Sequence, residues 1–115
     1  MASVRLFVYG TLKRGGRFHD ELCGAPFLGE AETAPGYALV QLGDYLALVR
    51  TDEAGRAEGE PKSVTGELFE VPEALLPALD EFEGDAYIRR QLAVRLTRGE
   101  SGGAVLALAY FLKPR

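Results

Sequence analysis

The sequence predicts an α+β fold, a small mixed β-barrel or strongly curled mixed sheet of about six to seven strands with short flanking helices. Three observations favour it. Short runs of β-branched, aromatic and aliphatic residues recur along the chain, bounded by Gly, Pro and charged residues. Several of these runs are apolar on both faces, and only two stretches have helical spacing. Because 115 residues can form one hydrophobic core, we expect a single domain over residues 1–115.

Seven segments are predicted to be strands. Val4–Val8 is an apolar run that ends at a Gly-containing turn, and the Leu42-Gly43-Asp44 turn joins two runs as in a hairpin. The loop Thr51–Ser63 is rich in Gly and charge and is expected to be the most mobile, and a Gly-rich turn, Arg98–Gly103, joins the last two strands. In chain order the predicted strands are Val4–Val8, Phe27–Thr33, Tyr37–Gln41, Tyr45–Arg50, Val64–Val71, Ile88–Thr97 and Ala104–Leu112.

Two segments are predicted to be helical. Arg17–Cys23 is a short candidate, in which Cys23 is expected to be a small buried hydrophobe. The second begins at Pro72, because Pro is tolerated at the first position of a helix. Pro77 is expected to divide a first turn from the main helix, and Gly84 is typical of the residue that follows a helix.

Composition excludes several classes of protein. The net charge of −4 gives no electrostatic basis for binding nucleic acid. One Cys and one His permit neither an intramolecular disulfide nor a structural zinc site, which favours a reducing, cytoplasmic compartment. Cys23 and His19 lie four residues apart without a third orienting group, so nucleophilic catalysis is not expected there. No run has the pattern of a signal peptide or the length of a membrane span.

The stretch Tyr9–Leu12, directly after the first strand, is a candidate ligand loop. Gly10 is expected to allow a positive φ where the backbone turns. A turn at the end of a buried strand leaves N–H groups without ladder partners, and such groups can bind an anion or a carbonyl oxygen. An ordinary strand-end turn is an equal alternative. A phosphate-cradling loop is not, because Gly15 is followed by Gly16-Arg17 rather than by Lys and Ser or Thr.

Glu83 is a carboxylate on the apolar side of the second helix. It follows Leu76 by seven residues and Leu79 by four, so helical spacing places it on or beside the buried stripe. Burial and the negative end of the helix dipole both disfavour ionisation and should raise its pKa. A carboxyl group with a raised pKa is suited to general acid/base chemistry at neutral pH.

The alternative for Glu83 is a structural one. A carboxylate at the rim of the core can pair with Arg89 or Arg90, and such ion pairs also perturb pKa values. The neighbouring Asp80 and Glu81 are expected to point towards solvent.

These segments resemble the motifs of the γ-glutamylcyclotransferase-like family. Tyr9-Gly10-Thr11-Leu12 followed by Lys13-Arg14-Gly15 resembles that family's Y-G-[ST]-L-x-x-G signature. Leu79–Gly84 followed by Tyr87-x-Arg89 resembles its L-D-x-F-E-G…Y-x-R segment. The matches occur in the family's order over nearly the whole chain.

Two further segments extend the resemblance. Val64–Phe69 is similar to the family's V-x-G-E-[LV]-[FY] strand, and Ala109-Tyr110 is similar to its last strand. The short chain and the compact spacing from Glu83 to Tyr87 are most similar to the γ-glutamylamine cyclotransferase branch. Leu108 stands where the family's last strand often has Trp, so the amine part of the substrate is left open.

The resemblance implies both fold and chemistry. It implies a small mixed β-barrel in which the backbone N–H groups of Tyr9, Gly10, Thr11 and Leu12 hold the substrate and Glu83 is the acid/base. In the family reaction the α-amine of a small γ-glutamyl compound attacks its own γ-carbonyl, which gives 5-oxoproline and a free amine. No metal or cofactor is needed, and neither nucleic acid nor a membrane is an expected partner.

Some roles stay open at this stage. Tyr87 and Tyr110 either line the substrate pocket or orient Glu83, or else are core aromatic residues. Arg89 either contacts the substrate or forms a surface ion pair. A binding module that uses the same pocket without turnover is the alternative to an enzyme. The oligomeric state does not follow from the sequence.

Overall fold

The computed structural model of the chain describes residues 2–51, 62–97 and 103–113. Most of the Thr51–Ser63 loop and of the Arg98–Gly103 turn lies outside the described residues, so those two expectations stay predictions. The strands lie within one or two residues of the predicted segments. They are β1 (Ser3–Val8), β2 (Phe27–Thr33), β3 (Tyr37–Leu42), β4 (Tyr45–Arg50), β5 (Thr65–Pro72), β6 (Tyr87–Leu96) and β7 (Val105–Leu112).

The strands belong to one mixed sheet that closes on itself. Their order is β1-β5-β2-β6-β7-β4-β3, and β7 also pairs with β1. One edge of β7 pairs antiparallel with β6. The other edge pairs parallel with β1 at Leu6↔Leu108 and, further along, with β4 at Leu48↔Phe111. Strands β1, β5, β2, β6 and β7 therefore form a closed ring that the β3–β4 hairpin extends, which confirms the predicted mixed β-barrel.

Two hydrophobic clusters cover the two faces of the sheet. Successive side chains of a strand point to opposite faces, so Phe7 lies in one cluster while Leu6 and Val8 lie in the other. The first cluster consists of residues from the strands, together with Tyr9 and Val64, which flank β1 and β5. The second lies between the sheet and the helices and includes Leu76 and Leu79. This arrangement explains why several strands are apolar on both faces.

Short helical segments flank the sheet. They are a 3₁₀ helix at His19–Leu22, a second 3₁₀ turn at Glu73–Leu75 and the helix α1 (Leu76–Glu83). The expectation that the helical stretch begins at Pro72 is wrong by one residue. Pro72 has extended dihedrals and ends β5, because its fixed φ suits a strand end as well as a helix start. Pro77 lies in the first turn of α1, where a missing N–H costs no helical hydrogen bond.

The prediction that Cys23 is buried is also wrong. Its side chain is exposed, and its backbone adopts a left-handed conformation with φ of 54° at the end of the first 3₁₀ helix. Leu22, one residue earlier, occupies the buried position instead. Among the described residues, no helix is long and apolar enough to cross a lipid bilayer.

Candidate active site

A pocket with a cavity volume of about 50 Å³ opens at the end of β1. It lies between the turn after β1, the start of β4, the last turn of α1 and residues of β6 and β7. A cavity of this size has room for a few water molecules or one compact polar group, so a larger ligand must extend through its mouth. All the residues singled out as a site from the sequence line it, namely Tyr9, Gly10, Thr11, Leu12, Glu83, Tyr87 and Tyr110.

The turn after β1 has its carbonyl groups paired and its amide groups free. The carbonyl oxygen of Gly10 accepts from Lys13 N–H at 3.1 Å, and that of Thr11 accepts from Phe18 N–H at 2.9 Å. The carbonyl oxygen of Leu12 accepts from Nδ1 of His19 at 2.9 Å. The N–H groups of Gly10, Thr11 and Leu12 have no acceptor within the part of the chain that is described. Such a row of donors can bind a carboxylate or a carbonyl oxygen.

The expectation for Gly10 is wrong in its physical reason. Gly10 has no positive φ, whereas Gly15 does, at 76°. A Cβ atom at Gly10 would meet no atom of the described residues within 4 Å, so the missing side chain leaves open space at the pocket. Gly16 is the residue that the loop geometry requires, because a Cβ there would collide with the Thr11 carbonyl oxygen and lie 2.7 Å from that of Lys13.

Tyr9 has its hydroxyl group bound inside the protein. The hydroxyl donates to the carbonyl oxygen of Tyr110 at 2.5 Å and accepts from Leu48 N–H at 3.2 Å. Burial raises its pKa well above the usual range, although the bond from Leu48 opposes this. Tyr9 can therefore offer a ligand its ring and backbone, while its hydroxyl joins β4 to β7.

Glu83 ends α1 and is followed by Gly84, whose φ is 83° and whose N–H closes the helix on the Asp80 carbonyl oxygen at 3.1 Å. Burial raises the pKa of the Glu83 carboxyl group to about 7. The carboxylate has no hydrogen bond or ion pair with any residue that the structure describes. The last carbonyl groups of the helix disfavour the ionised form further.

Asp80 and Glu83, two of the three carboxylates of α1, differ in their hydrogen-bond partners. Asp80 is 45% exposed, but it accepts a hydrogen bond from the Tyr110 hydroxyl at 2.7 Å and pairs with Arg89 at 3.0 Å. Asp80 is therefore exposed, as expected, but it also has two bonded partners. The alternative in which Arg89 pairs with Glu83 is wrong, because Arg89 pairs with Asp80 instead. The guanidinium group of Arg90 lies 5.3 Å from the centre of the Phe111 ring.

The mouth of the pocket contains residues that the sequence analysis missed. Tyr45 and Leu46, at the start of β4, line the pocket and are 43% and 37% exposed. Tyr87 donates its hydroxyl to the Leu46 carbonyl oxygen at 3.4 Å, and burial, with the nearby Glu83 charge, raises its pKa. In the sequence, Tyr45 and Leu46 are an apolar pair beside a turn. Such a pair is found in ordinary strands as well as in pocket walls, so it does not identify a site.

A family model described as "Gamma-glutamyl cyclotransferase, AIG2-like" matches residues 6–115. The chain belongs to this family. The match includes all the pocket residues, and it agrees with the resemblance found from the sequence motifs.

Relatives within the gamma-glutamyl cyclotransferase family match most of the chain. A gamma-glutamylaminecyclotransferase of Rattus norvegicus is 37% identical over 107 residues, which are 87% of this chain and 69% of the rat protein. A putative gamma-glutamylcyclotransferase of Vibrio cholerae is 44% identical over 78 residues, 68% of this chain and 60% of that protein. The chain thus spans roughly two thirds of the length of these curated relatives.

A crystal structure of a mouse AIG2-like protein has the same fold. It superposes with a TM-score of 0.80 and 30% sequence identity, and the match covers 100% of this chain and 80% of the mouse chain. This likeness confirms the predicted fold class. In the described ranges, no group of three or more His, Cys, Asp or Glu side chains could hold a metal ion.

Proposed function

We propose that the protein catalyses the cyclisation of a γ-glutamyl amine or a γ-glutamyl peptide, which releases 5-oxoproline and an amine. The observation that carries this proposal is the position of Glu83. Its carboxyl group, with a pKa of about 7, lines the same small pocket as the free N–H groups of Gly10, Thr11 and Leu12. Membership of the gamma-glutamyl cyclotransferase family supports the γ-glutamyl group as the substrate.

The backbone amides are the groups that would hold the substrate. Among the described residues that line the pocket there is no lysine or arginine to bind an anion. The substrate has two oxygen-rich groups, an α-carboxylate and a γ-carbonyl. Donors fixed by the loop can bind the first or stabilise the negative charge that develops on the second.

Glu83 would move the proton that the reaction requires. The ionised carboxylate removes a proton from the α-ammonium group, and the resulting amine attacks the γ-carbonyl carbon of the same molecule. The new C–N bond closes the five-membered ring, and the bond from the γ-carbon to the leaving nitrogen then breaks. Glu83 passes its proton to that leaving nitrogen, which regenerates the carboxylate. The ring nitrogen loses a second proton as it becomes the lactam N–H, and the released amine takes it up as an ammonium group, so the atoms balance. Binding brings the amine and the carbonyl together, which lowers the barrier further.

A pKa near neutrality suits both halves of this cycle. A carboxyl group with an ordinary pKa of about 4.3 accepts protons poorly at pH 7. One with a pKa of about 7 is a stronger base that is still substantially ionised, and its protonated form can return the proton. Glu83 gains this property from burial in the pocket wall.

The test is product formation from a panel of γ-glutamyl amines and γ-glutamyl amino acids. Mass spectrometry of each reaction should detect 5-oxoproline and the matching free amine in equal amounts, and the preferred compound would identify the substrate class. Binding of panel members without product, seen as a raised melting temperature, would favour the binding module instead. If no panel member gives product and none raises the melting temperature, the assignment of a γ-glutamyl site is contradicted.

A further inference from the structure

Glu67 is a carboxylate beside the candidate ligand loop that the proposed reaction does not use. It lies on β5 opposite Val8, the last residue of β1, at the place where the loop leaves the sheet. Its side chain is only 12% exposed. A carboxylate this far from water needs hydrogen bonds or a charged partner.

Both partners of Glu67 come from Arg14. Oε1 accepts the backbone N–H of Arg14 at 2.7 Å, and Oε2 accepts Nε–H of the same residue at 3.3 Å. The guanidinium group of Arg14 also lies 3.6 Å from the centre of the Phe27 ring on β2. One residue of the loop is thus held to two strands of the sheet.

Two turns that share Lys13 shape the loop, and Arg14 is the second residue of the second turn. Lys13 N–H donates to the Gly10 carbonyl oxygen at 3.1 Å, and Gly16 N–H donates to that of Lys13 at 2.7 Å. Within the described chain, the bonds from Arg14 to Glu67 are the only side-chain hydrogen bonds between residues 10–16 and the strands. Fixing Arg14 therefore holds the second turn directly and the first turn through the neighbouring Lys13, and with them the direction of the free N–H groups at Gly10, Thr11 and Leu12.

We propose that Glu67 is a positioning residue for substrate binding, which holds the 10–16 loop so that its free amides face the pocket. This rests on the proposed function, because the ligand of those amides is taken to be the γ-glutamyl substrate. Glu67 touches neither the substrate nor Glu83 in this account. Its loss should weaken binding more than it slows the chemical step.

The test combines steady-state kinetics with amide hydrogen exchange on wild type, Glu67→Ala, Glu67→Gln and Glu70→Ala. Glu70 is a matched control, an exposed carboxylate on the same strand without a side-chain hydrogen bond or ion pair in the described ranges. Glu67→Ala should raise KM for a γ-glutamylamine at least about tenfold and change kcat less, since it removes bonds to a charged group. Glu67→Gln keeps an acceptor for Arg14 N–H and should restore KM to within about threefold of wild type. Glu70→Ala should leave KM unchanged.

Hydrogen exchange makes the test independent of turnover. The Arg14 amide should exchange at least about tenfold faster in Glu67→Ala than in Glu70→Ala, whether or not the wild type forms 5-oxoproline. Equal exchange in the two variants, or a loss of kcat at unchanged KM, would overturn the positioning role. If Glu67→Ala does not fold, Glu67→Leu takes its place in the same comparison. It fills the space but offers no acceptor to the Arg14 N–H, so that amide should again exchange at least about tenfold faster than in Glu70→Ala. Failure of the wild type to form product would instead overturn the proposed function alone.

Discussion

At the scale of single residues, the candidate site depends on a difference between two carboxylates three residues apart on α1. Asp80 has two partners, the Tyr110 hydroxyl and Arg89, and it fastens the helix to β6 and β7. Glu83 has no such partner in the described ranges and lines the pocket, where burial raises its pKa to about 7. Partners keep a carboxylate in a structural role, whereas burial without them gives a carboxylate that exchanges protons near neutral pH.

The pH dependence of turnover should follow Glu83. Its base form is the ionised one, so kcat/KM for 5-oxoproline formation should rise with pH between 5 and 8, with a midpoint at about 7. Kinetics on wild type and Glu81→Gln should give the same profile, because Glu81 is an exposed carboxylate on the same helix. A midpoint near 4, the ordinary value for a carboxyl group, would exclude Glu83 as the base.

The place of Glu83 could be predicted from sequence because it depends on local spacing. Its distances of four and seven residues from Leu79 and Leu76 put it beside the buried stripe, as helix geometry requires. The bond between Asp80 and Tyr110 could not be predicted in this way, since the two residues are 30 positions apart and meet only when α1 packs on β7.

At the scale of elements, the loop after β1 acts through its backbone. Its carbonyl groups close two turns and bind His19 and Phe18, which leaves the amides of Gly10, Thr11 and Leu12 for a ligand. The motif could be predicted from sequence, but the roles of its glycines could not. Gly10 leaves space in the pocket, and Gly16 allows the close approach of two carbonyl groups.

Two glycine substitutions should separate these roles. Gly10→Ala should keep the free energy of unfolding within about 0.5 kcal/mol of wild type, because no atom crowds the new methyl group, but should raise KM by narrowing the pocket. Gly16→Ala should lower the free energy of unfolding by roughly 1–3 kcal/mol, because its methyl group meets backbone carbonyls. Urea unfolding and steady-state kinetics would measure both. An unfolding curve for Gly16→Ala that matches wild type would contradict the described loop geometry.

At the scale of the whole molecule, the barrel has a junction where the edge of β7 that pairs with β1 continues and pairs with β4. β7 pairs with β1 at Leu108 and with β4 at Phe111, and the Tyr9 hydroxyl bridges β7 and β4 beside that point. The strands themselves could be predicted from their alternation and turns. The barrel class was also predicted, but the strand pairs that close the ring were not, because β1 and β7 come from opposite ends of the chain.

The bridging hydroxyl should contribute to global stability. Tyr9→Phe leaves the buried Leu48 N–H and Tyr110 carbonyl without this partner, so it should lower the free energy of unfolding by about 1–3 kcal/mol. Tyr45→Phe is the matched control, because the Tyr45 ring is 43% exposed and its hydroxyl has no hydrogen bond among the described residues. Equal stability of the two variants in urea would show that the hydroxyl does not hold the junction.

The most direct test of the central claim is the rate of 5-oxoproline release by Glu83→Gln, with Glu81→Gln beside it. The amide keeps the size of the side chain but cannot accept the α-ammonium proton, so the rate at pH 8 should fall at least about 100-fold. Glu81→Gln should stay within about twofold of wild type, because its carboxylate lies outside the pocket. A folded Glu83→Gln protein that releases 5-oxoproline at nearly the wild-type rate would contradict the assignment of Glu83 as the acid/base.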